Sequence, residues 1–148
     1  MADNSNSFSE RHLTVKRSGL PGAGKGLFTT QDISRGTRII EYKGRITKWN
    51  AVKDQDGYNG YLMFMGPNHV INALPTLWAK ARYANDARGL SRKPGLRNNA
   101  AYVADGKRCF IEASRKIKAG EEILVFYGTS YWRLVRKLKR LTKVIPKG

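Results

Sequence analysis

Residues 115–128 constrain the fold of this chain more than any other segment. They place a turn at Ala119 and Gly120, then two acids, ahead of a short apolar run that ends on Tyr127. A glycine turn followed by β-branched and aromatic residues is typical of a buried strand. The pattern predicts such a strand near the end of the folded domain, with a tyrosine at its tip.

The chain before this segment consists of short apolar runs separated by turn residues. Runs rich in β-branched and aromatic residues, bounded by Gly, Asn, Asp and Pro, predict strands. These strands are expected at 13–15, 37–46, 61–65, 70–71, 100–103, 109–113 and 123–127. Short helices are expected near 48–54 and 77–85. The sequence therefore predicts a mainly β fold with short helices, in one domain that covers residues 11–128.

The two ends of the chain differ from this domain. Residues 1–10 are polar, with repeated Asn and Ser, and are predicted to be disordered. Residues 129–148 carry apolar residues at helical spacing with basic residues between them, which predicts a basic amphipathic helix that stops at Pro146. Its apolar stripe would pack on the domain or across a homodimer. A membrane-surface role fits less well because the stripe is narrow.

The formal net charge of +17 is unusual for so small a domain. It predicts an anionic partner such as DNA or RNA, while a basic chain that is merely soluble is the blander explanation. The basic stretch 88–97 would then form either a loop that faces this partner or a solvated loop.

Cysteine content and hydropathy exclude several classes of protein. The single cysteine, Cys109, excludes an internal disulfide and a multi-cysteine zinc site, and no metal site is predicted. No run approaches the roughly 20 apolar residues that span a bilayer. The N-terminus lacks the charged and apolar regions of a secretory signal. We expect a soluble intracellular protein with no membrane partner.

Two segments have the residue types of a ligand site. Gly24 and Gly26 allow a ligand to approach the backbone closely, although a plain tight turn is the simpler explanation. Asn85 can donate and accept hydrogen bonds, which suits an amino-acid or adenine ligand. It would suit the end of a helix as well, and the pair Asn98-Asn99 would suit a turn.

Three tyrosines, Tyr42, Tyr102 and Tyr127, could act on a lysine. At pH 7 only about one lysine amine in 10³ is neutral, since its pKa is near 10.4. A narrow aromatic channel excludes water and so favours the neutral amine, and a tyrosine hydroxyl beside backbone carbonyls can orient it. Each tyrosine alone is better explained as a core residue.

Taken in order, four segments make the chain resemble the SET-domain protein lysine methyltransferases, as a small single-domain member without a C-terminal zinc cluster. These segments are 24–28, 41–44, 81–86 with 98–100, and 115–128. The resemblance covers about residues 13–132. It implies a β-clip fold of small sheets, in which the C-terminal strand threads beneath the Asn85 segment in a pseudoknot.

The same resemblance implies S-adenosylmethionine as cofactor and a set of site residues. Tyr127 resembles the terminal catalytic tyrosine, and Tyr42 resembles a tyrosine of the lysine channel. Tyr102 would supply a further hydroxyl near the amine, of the kind that limits the number of methyl groups added in this family. The residues implied to bind the cofactor are Gly24, Lys25, Gly26, Asn85, Asp86, Asn99 and Trp132.

The chain departs from the family's pattern at three places. Residues 85–87 read Asn-Asp-Ala where the family usually has Asn-His-Ser or Asn-His-Cys, which removes one expected cofactor contact. The segment between Asn85 and Asn99 is longer by a basic stretch. In place of a cysteine cluster, Tyr131 and Trp132 with the following helix would close the channel.

The function implied by the resemblance is an S-adenosylmethionine-dependent protein lysine N-methyltransferase, located in the nucleus or on chromatin. A histone or other chromatin protein would be its substrate, and nucleosomes would be favoured through DNA bound to the basic surface. The alternative is a catalytically inactive SET-fold basic protein that binds nucleic acid or chromatin. A ribosome-associated basic protein would explain the charge but not the motifs.

Overall fold

The computed structural model describes residues 8–128 together with Leu134 and Lys137. Within these residues the chain forms strands β1 (Leu13–Arg17), β2 (Lys25–Thr29), β3 (Arg38–Glu41), β4 (Arg45–Thr47), β5 (Leu62–Gly66), β6 (His69–Asn72), β7 (Ala100–Asp105), β8 (Arg108–Ala113), β9 (Glu122–Ile123) and β10 (Val125–Phe126). One short helix, α1 (Trp49–Val52), continues into a 3-10 turn, Lys53–Gln55. No helix in this described part is long and apolar enough to cross a membrane.

The strands form three small sheets, so the predicted mainly β fold is confirmed. Their orders are β1-β2-β9, β10-β7-β8-β3 and β4-β6-β5. The pairs are antiparallel except β10 with β7, which is parallel. Antiparallel neighbours joined by tight turns, such as β7 and β8, follow from apolar runs separated by one or two turn residues.

One large cluster of buried apolar side chains joins the three sheets. Leu27 comes from the first sheet, Ile39 and Ile111 from the second, and Ile71 from the third. A smaller cluster around Leu20 and Leu124 lies beside it. Because short strands from distant parts of the chain share this core, residues far apart in sequence meet at its edges.

The strand near the end of the domain is threaded between two other segments. Leu124, between β9 and β10, pairs in parallel with Asn85, and the Val125 amide donates to the Asn85 carbonyl at 2.8 Å. On the other side, the Asn99 and Ala100 amides donate to the Leu124 carbonyl at 2.8 and 3.1 Å. This is the threaded arrangement that the resemblance implied.

Two predicted elements were wrong in detail. The strand expected at 37–46 is split into β3 and β4, because the chain turns at Gly44, where a Cβ would lie 2.6 Å from the Asn72 carbonyl oxygen. The helix expected near 77–85 is only a 3-10 turn, Lys80–Tyr83, followed by extended backbone at Ala84. Periodicity misled here because the buried Arg82 side chain holds this segment against the preceding loop.

Phe8 is the first residue that the structure describes. Phe8 packs against the main core, and its amide donates to the Arg38 carbonyl at 3.4 Å. The domain boundary at residue 11 stays a prediction. The predicted helix over 129–148 lies outside the described residues except at Leu134 and Lys137. Both of these residues are helical.

Candidate active site

The structure places Tyr42, Tyr102 and Tyr127 in one row. Tyr42 follows β3, Tyr102 lies in β7, and Tyr127 follows β10. The rings of Tyr42 and Tyr102 are 5.8 Å apart and edge-on, and those of Tyr102 and Tyr127 are 6.0 Å apart. The row therefore forms a continuous aromatic wall from three segments that are distant in sequence.

Backbone carbonyl oxygens hold the two ends of this tyrosine row. The buried Tyr42 hydroxyl donates to the Tyr61 carbonyl at 3.0 Å, and the Tyr127 hydroxyl donates to the Ala84 carbonyl. Hydroxyl and carbonyl oxygens are thus concentrated beside aromatic surface. Such an arrangement can orient an amine and favours its neutral form by excluding water.

A buried arginine supports the Tyr42 end of the row, and sequence reasoning missed it. Arg82 is 5% exposed, and its guanidinium donates to the Ala73 and Leu74 carbonyls at 2.7 and 3.1 Å. It also lies 4.3 Å over the Tyr61 ring. Burial raises the pKa of the Tyr61 hydroxyl and Arg82 lowers it by less, so this phenol is neutral at physiological pH. The sequence feature that could have revealed this role is the position of Arg82 between the apolar residues Ala81 and Tyr83.

Glu122, a second residue that sequence reasoning missed, joins three segments beneath the site. Its carboxylate is 7% exposed and accepts from Ser18 Oγ at 2.7 Å, the Gly19 amide at 2.9 Å and Asn85 Nδ2 at 3.5 Å. A Cβ on Gly26 would lie 2.2 Å from Glu122 Oε2. Position 26 therefore requires glycine, because a side chain there would collide with the buried Glu122 carboxylate.

Asn85 has one satisfied and one unsatisfied end. Its Nδ2 donates to the Lys25 carbonyl at 2.9 Å, while Oδ1 is buried and has no hydrogen-bond partner among the residues that the structure describes. A buried acceptor left in this state costs about 1–3 kcal/mol. An ammonium or amino group of a ligand would satisfy it.

The neighbouring loop also suits a ligand. Gly24 has a φ of 76°, and apart from Gly24 and its two chain neighbours no described residue has an atom within 4 Å of where a Cβ would be. The open backbone there and the unsatisfied oxygen of Asn85 fit S-adenosylmethionine, which carries both an ammonium and an adenine amino group.

Asp86 is a buried carboxylate that fixes the backbone around Tyr127. It is 2% exposed; Oδ1 accepts from the Arg88 amide and from Asn98 Nδ2, both at 2.8 Å, and Oδ2 accepts from the Tyr127 amide at 2.9 Å. A carboxylate suits this position because all three neighbours are N–H donors. The departure from the family's histidine thus has a structural reason.

Asn99 holds the threaded strand. Its Nδ2 donates to the Glu122 carbonyl and its Oδ1 accepts from the Leu124 amide, both at 2.9 Å. A contact between Asn99 and the cofactor stays a prediction. So does the role of Trp132, which lies outside the described residues.

The basic stretch 88–97 forms a loop beside the site. Arg92 donates to the Gly89 and Arg88 carbonyls, which folds this part of the loop on itself. Arg88, Arg92, Lys93 and Arg97 are exposed. The loop therefore presents positive charge to solvent next to the segment that carries Asp86.

Comparison with known proteins agrees with this architecture. The sequence model of the SET domain matches residues 24–128. The histone-lysine N-methyltransferase EZH2 of Chaetomium thermophilum is 29% identical over 137 residues, which cover 85% of this chain and 9% of that protein. The N-lysine methyltransferase KMT5A-A of Xenopus laevis is 24% identical over 124 residues, which cover 77% of this chain and 36% of that protein. The chain thus spans much less than two thirds of either relative.

Proposed function

Because this chain belongs to the SET-domain family, we propose that it is an S-adenosylmethionine-dependent protein lysine N-methyltransferase. The observation that carries this proposal is the tyrosine row of Tyr42, Tyr102 and Tyr127, with the Tyr127 hydroxyl held at the Ala84 carbonyl. Two relatives named as lysine methyltransferases support the same reaction class.

The proposed chemistry divides between the cofactor and the chain. S-adenosylmethionine supplies the methyl group. The aromatic wall of Tyr42 and Tyr102 keeps water from a substrate lysine and so lowers the free energy of the neutral amine relative to the ammonium. The Tyr127 hydroxyl and neighbouring carbonyl oxygens orient that amine. Asp86 holds the Tyr127 backbone, and the residues around Gly24 and Asn85 bind the cofactor.

The proposed substrate is a histone or another chromatin protein, in the nucleus or on chromatin. The Chaetomium thermophilum relative is a histone-lysine N-methyltransferase. A net charge of +17 repels a free basic histone tail, whereas DNA phosphates attract exposed lysine and arginine. Nucleosomal DNA would therefore offset the repulsion and bring enzyme and substrate together.

This proposal predicts a salt-dependent preference for nucleosomes. We expect kcat/KM to be higher for nucleosomes than for a matching histone-tail peptide at low salt. The preference should shrink as salt rises, because binding through several phosphates falls about 10³-fold or more between 50 and 200 mM salt. Methyl transfer from labelled S-adenosylmethionine measures both rates. Equal values for both substrates at every salt concentration would contradict DNA-assisted binding.

Cofactor binding can be tested without a protein substrate. We expect S-adenosylhomocysteine at 100 times its dissociation constant to raise the free energy of unfolding by about 2.7 kcal/mol. Urea unfolding with and without the ligand measures this shift, and adenosine and methionine added separately are the controls. No shift at saturating concentrations would contradict a cofactor site.

A second candidate is an inactive SET-fold protein that binds nucleic acid or chromatin. The observation that favours it is Asp86, which stands at the position of the histidine in the usual family pattern. This candidate predicts DNA binding without any S-adenosylhomocysteine shift, so the urea experiment separates the two functions.

A further inference from the structure

A groove of about 400 Å³ opens beside Tyr42 and plays no part in the chemistry above. Its apolar lining includes Ile46, Ile71 and Trp78. Ile46 is 53% exposed and Trp78 is 70% exposed, whereas Ile71 is buried in the core. Large apolar side chains left in contact with water around a concave site are typical of a binding surface.

The rim of this groove is positively charged. Lys43 and Lys107 are exposed, and among the described residues no carboxylate lies within ion-pair distance of either. The one carboxylate of the lining, Glu41, is paired with Arg108 at 2.8 Å. The rim therefore attracts acidic groups and disfavours a run of lysines and arginines.

The groove is connected to the tyrosine row through Tyr42. Tyr42 lines the groove, and its ring contacts that of Tyr102 edge-on, with Tyr127 next in the row. The two ring-to-ring steps, 5.8 and 6.0 Å, place the Tyr127 ring within a distance of the Tyr42 ring that about three to four residues of extended chain can span. A segment seated in the groove would therefore flank a lysine that reaches Tyr127.

We propose that this groove binds the protein segment next to the target lysine and selects an apolar side chain accompanied by acidic residues. The inference rests on the proposed lysine methyltransferase function and specifies its substrate class. The aliphatic floor suits an aliphatic or aromatic side chain, whereas a nucleic acid would gain little from Ile46 and Ile71. Among chromatin proteins, the preferred sites are lysines in apolar-acidic sequences.

Synthetic peptides with one central lysine test this preference. One peptide carries leucine and glutamate within four positions of the lysine, the second replaces each glutamate by arginine, and the third replaces leucine by alanine. KM and kcat are measured by methyl transfer, and affinity is measured by fluorescence polarisation of the same peptides with norleucine in place of lysine, in the presence of S-adenosylhomocysteine. We expect the first peptide to have the lowest KM and the tightest binding.

A matched pair of charge reversals localises the effect. Lys107→Glu should raise KM and Kd for the leucine-glutamate peptide about tenfold, since attraction becomes repulsion, and should leave kcat nearly unchanged. Lys118→Glu changes the net charge equally at an exposed position outside the groove lining and should have little effect. Trp78→Ala should remove the preference for leucine over alanine.

The outcomes separate the groove from the enzyme activity. Methyl transfer that favours the arginine peptide, or equal effects of Lys107→Glu and Lys118→Glu, would overturn the groove inference and leave the methyltransferase proposal standing. Selective binding of the leucine-glutamate peptide with no methyl transfer to any peptide or to nucleosomes would support the groove and refute the methyltransferase.

Discussion

Replacing Tyr127 by phenylalanine is expected to lower kcat for methyl transfer by about 10²-fold, the usual effect of removing one orienting or hydrogen-bonding group from a reacting centre. The substitution removes only the hydroxyl that donates to the Ala84 carbonyl. The packing of the ring on Tyr102 and the hydrogen bond from the Tyr127 amide to the Asp86 carboxylate are kept. Urea stability and S-adenosylhomocysteine affinity should therefore change little, while the rate measured with labelled cofactor falls.

Tyr83→Phe is the matched control for this experiment. The Tyr83 hydroxyl also donates to a backbone carbonyl, that of Leu77 at 2.8 Å, but it lies outside the tyrosine row. Its loss should leave kcat within about twofold, since an exposed hydrogen bond contributes little. If both variants keep full activity, Tyr127 is not the residue that orients the amine.

Replacing Glu122 by alanine is expected to lower the free energy of unfolding by about 3 kcal/mol. The substitution deprives the Ser18 hydroxyl and the Gly19 amide of their acceptor. It also removes the longer contact, 3.5 Å, to Asn85 Nδ2, which keeps its hydrogen bond to the Lys25 carbonyl. Each hydrogen bond to a charged group is worth about 1.5–3 kcal/mol, and partial entry of water offsets some of the loss. Equilibrium urea unfolding measures the change. Cofactor affinity should fall as well, because Glu122 holds the segments of Ser18 and Asn85 together.

Glu121→Ala is the control in the same strand region. Glu121 accepts from the Lys118 amide at 2.7 Å in an exposed turn, so its loss should cost no more than about 1 kcal/mol. Equal destabilisation by the two substitutions would show that the buried network around Glu122 does not hold the site together.

Local patterns predicted the strands well because their lengths and turn residues are encoded within a few positions. The apolar run before Tyr127 and the glycine turn ahead of it were sufficient to place a strand there. Two expectations failed. The strand expected at 37–46 is split into β3 and β4, and the helix expected at 77–85 is replaced by a 3-10 turn because Arg82 donates hydrogen bonds to the Ala73 and Leu74 carbonyls. A tertiary contact of this kind overrides local periodicity.

The site itself depends on contacts that no local pattern contains. Tyr42 and Tyr127 meet Tyr102 because β3, β7 and β10, which are distant in sequence, belong to the same four-stranded sheet. Their spacing along the chain does not contain this pairing of strands. In the sequence, Glu122 is only one of two acids ahead of a strand. In the structure, the Glu122 carboxylate is the reason that position 26 must be glycine. The sequence could also not predict that Asp86 is buried, since a charged residue is normally expected at the surface.

The most direct test of the account is mass spectrometry of nucleosomes and free core histones after incubation with the protein and S-adenosylmethionine, beside the Tyr127→Phe variant. The account predicts methylated lysine on at least one histone or associated protein, with greater yield on nucleosomes and very little in the variant. Unmodified lysines throughout, together with no S-adenosylhomocysteine shift in urea unfolding, would contradict the methyltransferase proposal and favour the inactive SET-fold protein that binds nucleic acid or chromatin.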